Sequence, residues 1–292
     1  MSTLGAGDRN THRPFAIVFG GGGARGFAHL GVLRALEREG YRPRLVVGVS
    51  MGAVVGVTYA SRPDWYEAVL DMELADFPGL AGSPGEGRSG AIRLARMMIG
   101  NLRVLLAMVR DWGPGTPARN SGLVEVRKLV GRGPLDETRV PVVVTATDLV
   151  SGERVVLRSA PADDAVYASG ALAGVLPPLP MGDWLLADGA YTDLAPVDVA
   201  RELESAAVLA VDVGSTGRAT RITNGYQAIT RAMEICHRQH AHLRFAEADL
   251  VLRPRFSRDI DTLEFSARRE CVAAGIRVVR AERSRIARLL DW

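Results

Sequence analysis

The chain reads as an α/β protein, a three-layer α/β/α arrangement on a mostly parallel central sheet. Three observations predict this. Apolar runs of strand length recur, among them "PFAIVF", "RLVVGV" and "VPVVVTATDL", as expected of strands buried on both faces. Between the first two lies "FAHLGVLRALEREG", whose Ala28, Leu30, Leu33 and Leu36 share one helical face. Glycines cluster where these strands must turn into helices, in "GGGGARG" and "GVSMG".

Taken in order, the start "MSTLGAGDRNTHRP" is polar, with no apolar stretch behind a positive end. It is not a secretory signal, and residues 1–13 are expected to be a disordered tail. "PFAIVF", the helix after it and "RLVVGV" form a strand, helix, strand unit. "SMGAVVGVTYA" comes next as a small-residue helix able to pack closely on a sheet. Residues 61–122 change character, with Pro63, Pro78, Pro84, Pro114 and Pro117 around one amphipathic stretch, 91–112, whose Arg93, Arg96, Arg103 and Arg110 share a face. This segment reads as an inserted cap; its helix either packs on the core or lies at a lipid surface. The parallel pattern resumes at "VPVVVTATDL", turns through "VSGE" into "RVVLRS", and continues in "WLLADGA" and "AAVLAVDVG" before a helical part from about 223 to 292. Residues 14–292 are thus expected to form one domain, since 292 residues at 47% hydrophobic content can bury a single large core.

Composition removes several function classes. The net charge is only +3, and the 36 basic residues include a single lysine, Lys128. Arginine is scattered and aromatics make up 6%, unlike the clustered basic and aromatic pattern of a nucleic-acid binder. Cys236 and Cys271 lack metal-ligand spacing and are too few for a disulfide framework, which suits a reducing, cytoplasmic compartment. The longest uncharged run, Leu45 to Ser61, falls short of the roughly 20 residues of a membrane-spanning helix.

Gly21, Gly23 and Gly26 satisfy G-x-G-x-x-G between a strand and a helix, which alone suggests a dinucleotide site. Such a site needs an acidic residue at the end of the second strand, where this chain has Ser50 instead. Gly48 and Gly52 around it permit the sharp G-x-S-x-G turn that exposes a nucleophilic hydroxyl. Consecutive parallel strands lie side by side, so the glycine loop should border Ser50. The backbone N–H groups of Gly22 and Gly23 can then face the oxygen that becomes negative during acyl transfer. Arg25 either holds the loop or meets an anionic head group.

Ser50 needs a base. His12 falls in the tail, His29 inside the first helix as a structural residue, and His237, His240 and His242 on what reads as a solvated helix face. Asp188, where "WLLADGA" ends a buried strand in a glycine turn, is the carboxylate alternative. Asp148 and Asp212 compete, Asp148 suiting a turn and Asp212 a structural role. Asp193 suits a cap.

"GGGGARG", "GVSMG" and "DGA", in this order, resemble the patatin-like phospholipase family from about Pro14 to Val199, and more loosely to about Arg280 through "DLVLRPRF", "DTLEF" and "AGI". "YASGALAGVLPPLP" is similar to that family's approach to its aspartate. The resemblance implies a dyad of Ser50 and Asp188 without histidine, and an oxyanion loop of Gly21, Gly22, Gly23, Ala24, Arg25 and Gly26. It also implies an elbow at Gly48 and Gly52, a Gly189–Ala190 turn, and no cofactor or metal. The implied substrate is a lipid ester met through peripheral membrane contact, with soluble short-chain esters as the alternative. Two positions depart from the family: Ala190 stands where a second glycine is commoner, and Leu194 where an asparagine often comes after the acidic residue.

Overall fold

The computed structural model describes residues 12–72, 115–173, 175–204, 207–214, 222 and 225–291. The first unit is β1 (Ala16–Phe19), α1 (Phe27–Arg38), β2 (Leu45–Val49) and α2 (Met51–Ser61). It is followed by α3 (Trp65–Leu70) and, beyond residue 114, α4 (Gly115–Val130). Then come β3 (Val142–Asp148), β4 (Arg154–Leu157), α5 (Ala162–Gly170), β5 (Leu179–Met181) and β6 (Trp184–Asp188). The chain continues through α6 (Val197–Leu203), β7 (Val208–Val211), α7 (Gly225–Phe245), β8 (Leu250–Leu252), α8 (Arg268–Ala281) and α9 (Arg283–Leu290).

Among the described residues eight strands form one sheet, hydrogen-bonded in the order β5-β6-β3-β2-β1-β7-β8 with β4 also on β3. β1 is central and pairs in parallel with β2 and β7, so both its edges are satisfied, and with residues packed on both faces all four of its residues are buried. Its alternating side chains feed two cores. Ile17 and Phe19 pack into the larger one with residues of α1, α2 and α8. Ala16 and Val18 join the smaller one with Val197, Val199 and Ala200 of α6 and Ala241 and Phe245 of α7. Helices on both faces make the expected α/β/α layers.

Three local expectations are corrected. "WLLADGA" does not continue the parallel pattern: β6 runs antiparallel to β3 and forms a hairpin with β5. An apolar run records burial, not direction. The C-terminal part is not wholly helical, because "LVL" forms β8 parallel to β7. The tail gives up its last two residues: His12 is buried, bridges to Asp291 and stacks near Phe15 and Tyr41, while the Arg13 N–H donates to Leu290 O at 2.7 Å. Residues 1–11 of that tail, and the stretch 91–112 of the expected cap with its four arginines, lie outside the described residues.

The α1–α8 crossing explains two glycines. A Cβ on Gly31 would overlap the Val272 carbonyl, and one on Gly275 the Ala28 carbonyl. The helices therefore touch backbone to backbone, and neither contact has a flexible side chain able to yield. Gly275→Ala should push them apart at a cost of about 1–3 kcal/mol, the range for overpacking. Thermal unfolding checks this; an unchanged Tm would mean that the crossing adjusts freely.

Candidate active site

Strand register brings the two candidate residues together. β2 ends with Val49 opposite Thr145 of β3, and β6 runs back to end with Asp188 opposite Ala146. β4 pairs with β3 over residues 144–147. Each edge of a strand takes one neighbour at a time, so β2 and β6 must share the other edge, end to end. Ser50 and Asp188 stand where those ends meet, and the Ser50 hydroxyl donates to Asp188 Oδ2 at 2.8 Å. The junction is tight: a Cβ on Gly189 would overlap the Thr145 carbonyl and lie 2.7 Å from Val49 Cγ2.

The elbow is strained in the way the glycine spacing suggested. Ser50 has φ 55° and ψ −126° and is the one described non-glycine residue with positive φ, a conformation that costs on the order of 1–3 kcal/mol. A Cβ on Gly48 would lie 2.6 Å from Gly52 O, and one on Gly52 would overlap the Phe19 carbonyl. Both glycines let α2 start hard against the strands. The Ser50 N–H donates to Ser169 Oγ at 2.8 Å, and that hydroxyl donates to Thr145 O at 2.7 Å.

Asp188 is buried, and among the described residues no cation pairs with it. Its Oδ1 accepts from the Ala190 N–H at 2.9 Å, and its carbonyl from Thr147 Oγ1 at 2.9 Å. Burial raises its pKa to about 6, against the opposing pull of the bonds from Ala190 and Ser50. A carboxyl poised there can take a proton from a hydroxyl near neutral pH.

The glycine loop is pinned nearly everywhere. Gly20 O accepts from His29 Nε2 at 2.8 Å; burial holds that histidine's pKa down at about 4, so it is neutral and structural. Gly21 N donates to Leu194 O at 3.3 Å, Ala24 N to Thr262 O at 2.8 Å and Arg25 N to Gly22 O at 3.2 Å. The N–H groups of Gly22 and Gly23 have no acceptor among the described residues. The six-residue oxyanion expectation thus narrows: Gly21, Ala24 and Arg25 commit their N–H groups elsewhere. Leu194 serves the loop through its carbonyl, which any residue in its place supplies. Gly23 has φ +54°, and its absent Cβ would overlap the Thr262 carbonyl, whereas one on Gly21 would sit 3.4 Å from Ser50 Cβ. Gly26 leaves room for the Met51 side chain.

Of the two readings of Arg25, the structure favours the loop anchor. Its guanidinium is buried and donates to Val213 O at 3.2 Å, Ile260 O at 2.7 Å and Glu234 Oε1 at 3.0 Å. Asp148 accepts four bonds, from Leu185 N, Ser151 Oγ, Val150 N and Ser151 N, which hold its pKa down at about 2. It is a turn residue, as expected. Asp212 accepts from Gly214 N and Arg253, while Asp193 caps Ala195 N and pairs with Arg154. His240 and His242 are exposed. His237 departs from the solvated face: it is half-buried, stacks 5.9 Å from Tyr191 and lines the cavity beside Ser50, with its pKa lowered by burial. Ser169 and Thr147 were not read from sequence, where a serine in "YASGA" and a threonine in "VVVTATDL" look like ordinary fillers of a helix and a strand.

A cavity of about 770 Å³ opens over Ser50, Asp188 and Gly21–Gly23. Its walls are largely apolar and include Met51, Val54, Leu129, Tyr167, Leu176 and Phe245. Among the described residues no cluster of three or more His, Cys, Asp or Glu could hold a metal, and no helix is long and apolar enough to cross a membrane.

A serine on a strained strand-to-helix turn, bonded to a buried carboxyl beside a glycine loop, thus sits within an α/β fold. The chain belongs to the patatin-like phospholipase family, whose model matches residues 17–201. It is 34% identical over 207 residues to a patatin-like phospholipase domain-containing protein of Caenorhabditis elegans, covering 70% of this chain and 14% of that protein. It is 30% identical over 220 residues to human patatin-like phospholipase domain-containing protein 6, covering 74% of this chain and 14% of the relative. An uncharacterized NTE family protein of Mycobacterium tuberculosis is 34% identical over 182 residues, 62% of this chain and 44% of that one. The chain thus spans less than half the length of these relatives. Among solved structures it is similar to VipD from Legionella pneumophila, with a TM-score of 0.43 at 12% identity over 92% of this chain and 67% of that one.

The raised pKa of Asp188 has a consequence for stability. Folded protein holds a proton there up to about pH 6, whereas an unfolded aspartate releases it near pH 4. The native state is therefore favoured below about pH 4, and that advantage is lost as pH rises through 6. Asp188→Asn, neutral at every pH, should be more stable than the native chain at pH 8, by up to about 3 kcal/mol. The gain should vanish towards pH 4. Unfolding curves at both pH values check it, and a variant less stable at pH 8 would contradict the sign.

Proposed function

We propose that the chain is a lipid acyl hydrolase that cleaves carboxylic ester bonds of phospholipids or other acyl lipids through an acyl-Ser50 intermediate. One observation carries this: the Ser50 hydroxyl donates to a buried Asp188 at 2.8 Å. The setting, beside two uncommitted glycine N–H groups in an apolar cavity, supports it. Ser50 Oγ attacks the ester carbonyl as its proton passes to Asp188 Oδ2. The carbonyl oxygen takes the displaced electron pair and is met by the N–H groups of Gly22 and Gly23. Collapse breaks the ester bond, and protonated Asp188 returns the proton to the departing alkoxide. A water molecule then attacks the acyl-serine with Asp188 again as base, releasing the fatty acid and restoring the hydroxyl. The size and apolar walls of the cavity favour long acyl chains over the short soluble esters of a general carboxylesterase.

Hydrolysis of a series of esters of increasing chain length tests the substrate class; rates that peak at the shortest chains would replace the lipid reading by the carboxylesterase one. Ser50→Ala and Asp188→Asn should each lower kcat by at least about 10³-fold, as expected for residues acting as a unit. Alanine at His237, His240 and His242 together should leave most of the activity. A folded but inactive triple variant beside an active Asp188→Asn would assign the base to histidine.

Because only ionised Asp188 accepts a proton, kcat/KM should rise with pH and level off above a midpoint near 6, the pKa to which burial lifts the free carboxyl. A pH–rate profile flat from 4.5 to 8, an interval chosen to bracket that midpoint by roughly two units, would exclude Asp188 as the base.

A further inference from the structure

The backbone N–H groups of both members of the pair end on one short stretch of chain. Ser50 N donates to Ser169 Oγ at 2.8 Å, and Asp188 N donates to Ala171 O at 3.0 Å. Ser169 belongs to the last turn of α5, and Ala171 is the residue that caps it. Two residues further on, Ala173 N donates to the Tyr191 hydroxyl at 2.8 Å, tying the same stretch to the turn after Asp188. Gly170 and Leu172, lying between these anchors, line the cavity.

We propose that Ser169 is a positioning residue for acyl transfer, holding Ser50 in its strained elbow so that the hydroxyl stays on Asp188. This rests on the acyl-Ser50 reading and adds a residue to it. The polarity at Ser169 is unambiguous. Thr145 O can only accept, so the single hydroxyl proton of Ser169 goes there, and a lone pair faces the Ser50 N–H, which can only donate. Ser169 is fully buried, so no water replaces that acceptor when it is removed. With φ at 55°, the elbow has a lower-energy backbone conformation to relax into once its N–H is released. Relaxation swings Oγ relative to Asp188, which stays fixed by Ala171 and by its place at the end of β6. α5 thus acts as a spacer, with its side-chain acceptor for the serine and its main-chain acceptor for the aspartate two residues apart. A small displacement at a reacting atom is costly, whereas substrate binding along the cavity is untouched.

The test uses the full chain with a p-nitrophenyl acyl ester and an alkyl fluorophosphonate. Ser169→Ala should lower kcat by about 10- to 100-fold, with KM within about twofold of the native value. The rate of inactivation by the fluorophosphonate, which reports the nucleophilicity of Ser50, should fall by the same factor. Thr58→Val is the control, since Thr58 carries a buried hydroxyl in α2, the helix that follows Ser50, bonded to Val54 O at 2.6 Å; it should lose stability without changing kcat or the inactivation rate.

Ser169→Cys, close to serine in size but a weaker acceptor, should fall between serine and alanine, and it carries the test if the alanine variant does not fold. A native kcat in either Ser169 variant overturns the assignment. So does a loss confined to KM, or an equal loss in Thr58→Val. A Ser50→Ala protein that retains turnover would instead overturn the acyl-serine reading, and with it this role for Ser169. An inactive Ser50→Ala beside fully active Ser169 variants leaves the acyl-serine reading standing and removes only Ser169.

Discussion

The site depends on two strands meeting head-on along one edge of β3. β2 climbs that edge as far as Thr145, β6 descends it as far as Ala146, and no residue of β3 is left between them. A serine just past one strand and an aspartate ending the other must then lie within hydrogen-bond reach. Their distance is set by the ladder of a buried sheet rather than by loops, which holds such a pair more closely than loops would. Gly189 and Gly48 are consequences of the same meeting, because each occupies space that a side chain would take from the neighbouring backbone.

Around that junction most polar groups are hydrogen-bonded, although Thr145 Oγ1 and His29 Nδ1 are buried without a partner among the described residues. The glycine loop is held by His29, Leu194, Thr262 and Arg25, which belong or bond to separate parts of the chain. Two adjacent N–H groups in the middle have no acceptor among the described residues. In the proposed acyl transfer, a loop so anchored would present its donors without reorganising as charge develops. Arg25 contributes to this indirectly: its charge is taken up by Glu234 and two carbonyls, and the result is a fixed loop.

At Asp188 the proposed function and stability oppose each other. A solvated aspartate would cost nothing to ionise but would be a feeble base for the proposed reaction, whereas burial with no cation bonded to it among the described residues brings its pKa to about 6 at the expense of the folded state near neutral pH. The strained Ser50 backbone adds a second cost at the same point. The cores on both faces of the sheet offset these terms.

The sequence by itself determined the strand, helix, strand unit, the elbow at Ser50, the glycine loop beside it and the buried run ending at Asp188, because these are written in local patterns: apolar runs, helical periodicity and glycine spacing. It also marked Asp148 as a turn residue. Tertiary structure alone decided the direction of β6, since burial looks the same from either end of a strand, and hence why Asp188 faces Ser50 at all. It decided between the two readings of Arg25, whose partners are as far along the chain as Glu234 and Ile260. It placed His237 at the cavity instead of on a solvated face, and it gave Ser169 a partner 119 residues away. A hydrogen bond across such a separation cannot be read from local patterns, because those patterns report each residue's own turn or helix and not which distant residue it meets.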